Sequence, residues 1–378
     1  MSEKIWLSSP HMGGNELKYI HQAFDENWVA PLGPNVNEFE KSLEKFLNAD
    51  VQVAALSAGT AALHLALIEC GVECGDEVIC QSMTFSASAN PIAYLGAIPV
   101  FVDSEPETWN ICPIALEDAI QDRIAKGNKP KAIVAVHLYG MPFKVDEVMA
   151  VANKFEIPVI EDAAEALGSK YKNKSCGTFG RFGVLSFNGN KIITTSGGGA
   201  LVCHTEEDKN KAVFLATQAR DNAPHYQHTH IGYNYRMSNI CAGIGRGQVE
   251  VLEERVNSRR AMTKFYIELF KDMPGVSVFV EPSMDFYSNH WLSAVTIDPY
   301  KAGITREELR LGLLDKNIES RPLWKPMHLQ PIFENSPFYG GRVAEELFEN
   351  GLCLPSGSNL TDDDRIKIKV NISEIFRK

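Results

Sequence analysis

Between about residue 50 and residue 203 the chain repeats one pattern, a short apolar run followed by a stretch with helical spacing. The runs are Val51–Leu56, Glu77–Gln81, Pro99–Asp103, Ala132–His137, Pro158–Glu161, Val184–Phe187 and Gly199–Cys203, with amphipathic segments between many of them. Strands joined through helices lie side by side in the same direction, and a sheet covered on both faces needs strands that are apolar throughout. The pattern therefore predicts an α/β fold with a mostly parallel mixed sheet flanked by helices. Two helices, Asn15–Asn27 and Asn35–Leu47, precede this block, the first opened by Gly13-Gly14 and both bounded by Pro- or Gly-containing turns.

With 378 residues the chain is longer than one hydrophobic core usually serves, so two domains are expected. We place a large α/β domain at 1–250 and a smaller α+β domain at 251–378. After Asn239 helical spacing continues to about Asp272, where Pro274-Gly275 stops it, and this long helix is expected to bridge the two. The tail combines a strand at Trp291–Ile297, a helix at Arg306–Asp315, a Pro-rich loop at Arg321–Pro331 and a last helix near Asp362.

With 37 basic and 48 acidic residues the formal charge is −11, which repels nucleic-acid phosphate. Among the eight cysteines the closest group, Cys70, Cys74 and Cys80, lacks a CxxC pair, so no metal site is expected and reduced buried thiols are. The start Met1-Ser-Glu-Lys-Ile-Trp-Leu7 carries no basic stretch leading into an apolar run, and no window reaches the length of a membrane span. A cytoplasmic protein without a membrane partner is the expectation.

Three places bear chemistry. Ser57-Ala-Gly-Thr60 follows a strand and opens the apolar helix Ala61–Ile68, where free N–H groups and the helix dipole favour an anion; a plain tight turn is the alternative. Asp162 ends the apolar run Val159-Ile-Glu-Asp162 at the carboxyl edge, where open α/β sheets bind ligands, although Asp before Ala-Ala-Glu165 also fits a helix N-cap. Lys191 stands between a strand and Gly197-Gly-Gly199 with apolar residues directly after it. A lysine so desolvated loses its proton more easily and can form a Schiff base, whereas a carboxylate-paired loop lysine is the commoner fate.

These motifs together resemble the DegT/DnrJ/EryC1/StrS sugar aminotransferases, of the fold-type I pyridoxal-phosphate superfamily. The resemblance runs through Ala30-Pro-Leu-Gly33, Ser57–Leu67, Thr84-Phe85, Glu161-Asp-Ala-Ala164, Ser186 with Lys191 as Ser-Phe-x-x-x-Lys, Gly197–Gly199, Gly232-Tyr-Asn-Tyr-Arg-Met-Ser-Asn239 and Leu354-Pro-Ser356. It implies pyridoxal 5′-phosphate as cofactor, bound covalently by Lys191, with Asp162 on the pyridinium nitrogen. Gly59, Thr60 and Ser186 would hold the phosphate, Phe85 would stack on the ring, and Asn239 would reach the phosphate of a second subunit, making a homodimer with composite sites. Asn190, Arg236, Lys325 and His328 would meet substrate, Arg236 and Lys325 at its diphosphate.

Glu165 departs from the Gln or His of many relatives beside the cofactor's phenolic oxygen, and Asn188-Gly-Asn190 replaces a stretch that often contains His. The implied reaction moves the amino group of L-glutamate to C4 of a nucleotide-linked 4-keto-6-deoxy sugar. The start Ser9–Glu16, the segment Glu161–Gly168 and Asn188–Gly197 look most like enzymes acting on UDP-4-keto-6-deoxy-GlcNAc; dTDP-linked sugars are the alternative. A sugar 3-dehydratase of the family would carry His in place of Lys191, and a regulatory protein on the same scaffold is the non-enzymatic alternative.

Overall fold

A computed structural model describes residues 4–377 of the chain. The seven apolar runs all become strands of one sheet, and an eighth strand joins them. Across the sheet the order is Gln52–Leu56, Gly199–Cys203, Phe182–Ser186, Val159–Asp162, Ala132–Val136, Glu77–Gln81, Ile98–Val102 and Phe338–Tyr339. Gly199–Cys203 runs antiparallel to both neighbours, which leaves the other seven strands pointing the same way. Phe338–Tyr339 was not legible beforehand, because two residues carry no periodicity. The strand expected at Val184–Phe187 begins at Phe182, because Gly183 interrupted the apolar run. A Cβ at Gly183 would lie 2.1 Å from the Gly177 carbonyl oxygen, so the glycine marks a close backbone approach.

Alternate residues of each strand enter opposite cores. Ala54, Leu56, Val78, Cys80, Ala132 and Val134 pack on one face, where helix Gly59–Glu69 is buried from Ala61 to Leu67. On the other face Val53 and Ala55 meet helix Pro34–Leu47, while Ile79, Ile133 and Ala135 meet the helices Pro113–Ala125 and Val145–Lys154. A helix apolar all round belongs inside a protein, and this one lies between the sheet and the Glu206–Ala216 helix.

The single long helix expected from Asn239 to Asp272 is instead two, Asn239–Val249 and Leu252–Phe270. Neither Gly nor Pro stands at the break; there Glu250 accepts hydrogen bonds from Asn15 Nδ2 and the Tyr19 hydroxyl, so tertiary contacts with the first helix fix it. The later part of the chain forms an antiparallel sheet in the order Val276–Val278, Ser293–Ile297, Gly351–Leu354 and Arg321–Pro322. Helices Arg306–Asp315 and Asp362–Ile375, each opened by a capping box, Thr305 with Glu308 and Thr361 with Asp364, pack on it. Ile5 inserts into this same cluster and bridges Ile318, so the two ends of the chain share a core. No helix among the described residues is long and apolar enough to cross a membrane.

Candidate active site

Because the strands Gln52–Leu56, Val159–Asp162 and Phe182–Ser186 point the same way, their last residues meet at one edge of the sheet. A cavity of about 670 Å³ opens there. Its floor is the start of helix Gly59–Glu69, whose N-cap, Ala58, supplies no side-chain hydrogen bond, leaving the first N–H groups to a ligand. The approach is close. A Cβ on Gly199 would sit 2.2 Å from the Gly59 nitrogen, and one on Gly59 would sit 3.1 Å from Ser186 Cβ, so glycine at both places lets the turn and Ser186 converge.

Asp162 lines this cavity as a largely buried carboxylate. Ser88 Oγ donates to its Oδ2 at 2.6 Å, Ser88 is backed by Thr84 Oγ1 at 2.6 Å, and the Ala164 N–H reaches Oδ1 at 3.2 Å. A turn rather than a helix follows, so the N-cap alternative is set aside. The preceding residue faces the other way. Glu161 is fully buried against His137 Nε2 at 2.8 Å and the N–H groups of Gly177 at 2.8 Å and Gly180 at 2.7 Å. Burial alone would raise its carboxyl, yet His137 and these donors hold it below the ordinary range.

Lys191 lies in a loop pinned at its base by Phe187, whose N–H donates to Gly198 O and whose carbonyl accepts from Thr195 N, both at 2.9 Å. Its Nζ is 3.1 Å from Glu165 Oε1 and 4.1 Å from the centre of the Trp291 ring. Glu165 Oε2 accepts the Tyr139 N–H at 2.7 Å, from a backbone held in the left-handed region at φ 54°. Burial pushes the Glu165 carboxyl up to about 7, against the opposing pull of Lys191 and the Tyr139 N–H. Behind Lys191 the guanidinium of Arg259, fully buried, donates to the Trp291 carbonyl, to Ser8 Oγ at 3.0 Å and to the Lys191 carbonyl at 3.4 Å. Burial and the neighbouring Arg255 lower its pKa to about 9.

Gly59, Thr60, Phe85, Glu165 and Ser186 all line the cavity, as do Asn190 and Lys325 at its rim. Phe85 is 57% exposed and tilts toward Trp324, 5.7 Å away between ring centres. Three further residues do not line this cavity, and one of them, Asn239, is expected at a second subunit's phosphate rather than at this one. Asn239 is buried and spent inside its own subunit: Oδ1 takes the N–H groups of Asn35 at 2.9 Å and Val36 at 3.3 Å, and Nδ2 donates to Trp28 O at 2.9 Å. It thereby caps helix Pro34–Leu47, whose own N-cap is the side-chain-less Gly33. Arg236 pairs with Glu40 and donates to Ala55 O at 2.9 Å, tying that helix to the sheet. His328 is held by Ser82 Oγ at 2.6 Å and stacked on Phe338 at 3.8 Å, where burial lowers its pKa, and it does not line the cavity.

Sequence reasoning missed Ser88, Tyr139, Trp291 and Trp324 around the lysine and the carboxylate. Ser88 follows Thr84-Phe85 closely enough to have been a candidate; Trp291 opens the run Trp291–Ile297 and reads as the first residue of a strand.

The donor set suits one cofactor chemistry: an uncapped helix start for a phosphate, a carboxylate for a protonated ring nitrogen, and an amine for an aldehyde carbon, all on one cavity. The fold and this site define a fold-type I, pyridoxal-phosphate-dependent aminotransferase. The chain belongs to the DegT/DnrJ/EryC1/StrS aminotransferase family, whose model matches residues 10–372. It is 51% identical over 380 residues to EpsN of Bacillus subtilis (strain 168), which bears the name of a pyridoxal phosphate-dependent aminotransferase; 100% of this chain and 97% of that one are covered. GDP-perosamine synthase of Escherichia coli O157:H7 is 38% identical over 374 residues, covering 98% of each chain. The crystal structure of a DegT DnrJ EryC1 StrS aminotransferase from Brucella abortus superposes with a TM-score of 0.88 at 30% identity over 96% of both chains.

Proposed function

We propose that the protein moves the amino group of L-glutamate to C4 of a nucleotide-linked 4-keto-6-deoxy sugar, with UDP-4-keto-6-deoxy-GlcNAc as the preferred acceptor. The observation that carries this reading is the placing of Lys191 Nζ and the Asp162 carboxylate on one cavity roomy enough for cofactor and sugar together. In this reading the 1–250 region holds the cofactor, and 251–378 forms the smaller domain that closes over substrate.

Bound pyridoxal phosphate supplies a carbonyl carbon that takes up amines and a ring that withdraws electrons. The N–H groups of Gly59 and Thr60 and the hydroxyl of Ser186 would hold its phosphate. Asp162, oriented by Ser88, keeps a proton on the ring nitrogen. Phe85 would cover the ring face, and Glu165 would lie beside the phenolic oxygen. Lys191 Nζ takes the proton from Cα of the amino donor in the first half of the reaction and delivers a proton at C4 of the sugar in the second. Arg321 and Lys325, both lining the cavity, replace Arg236 as partners for the diphosphate, and Asn190 meets the sugar at the rim.

Relatives support a nucleotide-linked sugar as the acceptor and leave the nucleotide to experiment. GDP-perosamine synthases at 38%, 35% and 34% identity favour a GDP-sugar as the second reading. The structure of DesI with its TDP-sugar product, at 26% identity, keeps the dTDP alternative in view. The test is to load the protein with pyridoxamine phosphate, mix it with the UDP-, GDP- or dTDP-linked 4-keto-6-deoxy sugar, and follow the return of the aldehyde form's absorbance. The UDP-sugar is expected to react fastest; faster recovery with either of the others rejects that choice. A protein that takes up no cofactor chromophore would point instead to a binding role on this scaffold.

We further propose a cytoplasmic homodimer. Leu17, Phe24, Trp28, Val29 and Leu32 leave an apolar stretch of helix and loop exposed, and such a stretch in a soluble chain calls for a partner surface.

A further inference from the structure

We propose that Glu165 is a second catalytic group of this site: it takes the proton of the Lys191 ammonium, freeing the amine to react, and later gives it back. The proposal rests on Lys191 being the reacting lysine. Glu165 is the carboxylate in hydrogen-bond contact with Nζ, at 3.1 Å, whereas Asp162 is turned toward Ser88 and Ala164. Of its two oxygens, Oε2 is occupied by the Tyr139 N–H, which leaves Oε1 to accept. The Trp291 ring covers Nζ and little of the lysine is exposed, so bulk water is a poor acceptor for its proton. In the transfer the Nζ–H bond breaks, its electron pair stays on nitrogen, and an Oε1–H bond forms. The pair is neutral as a whole before and after, so no net charge enters the buried site.

Burial also raises this carboxyl, to about 7 even with Lys191 and the Tyr139 N–H pulling it down. The ionisable groups around it are Lys191 from its loop, Asp162 from strand Val159–Asp162, Tyr139 from the turn Leu138–Gly140, and Cys353 from strand Gly351–Leu354. The relative placing of Lys191 and Glu165 thus makes a two-site proton store inside the cavity.

The test uses the full chain in its pyridoxamine phosphate form, in which Lys191 is a free amine. Its reactivity is measured by competitive labelling with acetic anhydride against free phenylalanine, and the Lys191 peptide is quantified by mass spectrometry from about pH 6 to 10. With the proton shared internally, the neutral-amine fraction of the wild type stops depending on pH once the pair has lost its first proton and while it still holds the second. The labelling rate should therefore rise to about pH 7 and stay level for about two units. Glu165→Gln, which can still accept the Tyr139 N–H, should climb about tenfold per pH unit through the same window with no level region. Glu165→Asp should restore the level region at a lower rate. Altered access to the lysine would scale the rates at every pH equally and leave the slopes alone. A wild type that climbs tenfold per unit, as the Gln variant does, overturns the proposal. Failure of the Lys191 reading shows separately, as borohydride-reduced cofactor on a peptide other than that of Lys191.

Discussion

On the proposed reading, Lys191→Ala removes the reacting amine and leaves Glu165 without its cation, and the two consequences differ in size. Burial has already raised the carboxyl to about 7, so Glu165 can take up a proton rather than remain a stranded charge, and the fold should survive. Transamination should fall by about four orders of magnitude or more, because nucleophile and proton carrier are lost together. Kinetics beside a thermal melt check this, and a variant that stays active denies Lys191 its role. Lys191 and Asp162 were legible in the sequence because each ends or follows an apolar strand at the sheet's carboxyl edge. The pairing of Arg236 with Glu40 was not legible, because its partner lies 196 residues away and no local pattern shows it. Trp291 and Tyr139, which shape the surroundings of the lysine, were hidden for the same reason.

Among the elements, helix Pro34–Leu47 depends on a residue far along the chain. Asn239→Ala would strip its first N–H groups of their acceptor and should cost about 2 kcal/mol of stability. Denaturant melts read that loss, and the folded fraction should bind cofactor as the wild type does. A weakened cofactor affinity at unchanged stability would restore the role first expected for Asn239.

Helix Gly59–Glu69 carries a different liability. Glu69 lies at its end with both carboxyl oxygens buried and unpartnered, and burial raises the group from 4.5 to about 7. A raised carboxyl contributes stability below its unfolded value and loses it as pH climbs through the folded one. The ionised form would cost the fold up to about 3 kcal/mol at pH 8, and screening at a partly exposed residue reduces this to about 1–2 kcal/mol. Glu69→Gln should therefore stabilise the protein at pH 8 and change little at pH 4.5. A gain of equal size at both pH values would contradict this account.

The strands of this chain were easier to anticipate than its breaks. Apolar runs between residues 51 and 203 announce a buried parallel sheet, since each strand needs both faces covered. The interruption between Val249 and Leu252 has no Gly or Pro to announce it and exists because Glu250 meets Asn15 and Tyr19.

For the whole molecule, the exposed apolar stretch Leu17–Leu32 leads to an association test. Sedimentation should give a dimer, and the double variant Leu17→Glu, Phe24→Glu should shift it toward monomer because charge would enter a dry interface. A wild-type monomer at micromolar concentration rules the dimer out.

The order of strands also sets a timetable. Gln52–Leu56 is the first strand of the sheet to leave a ribosome, yet within the sheet it bonds only to Gly199–Cys203, about 150 residues later in synthesis. Until that segment emerges, the Ser57–Thr60 turn has no Gly199 beside it. Folding as the chain grows must therefore build the middle of the sheet first, and such long-range pairing is slow because a large loop closes before any contact rewards it. The cavity floor at the Ser57–Thr60 turn, encoded near the beginning, is among the last parts of the protein to take shape.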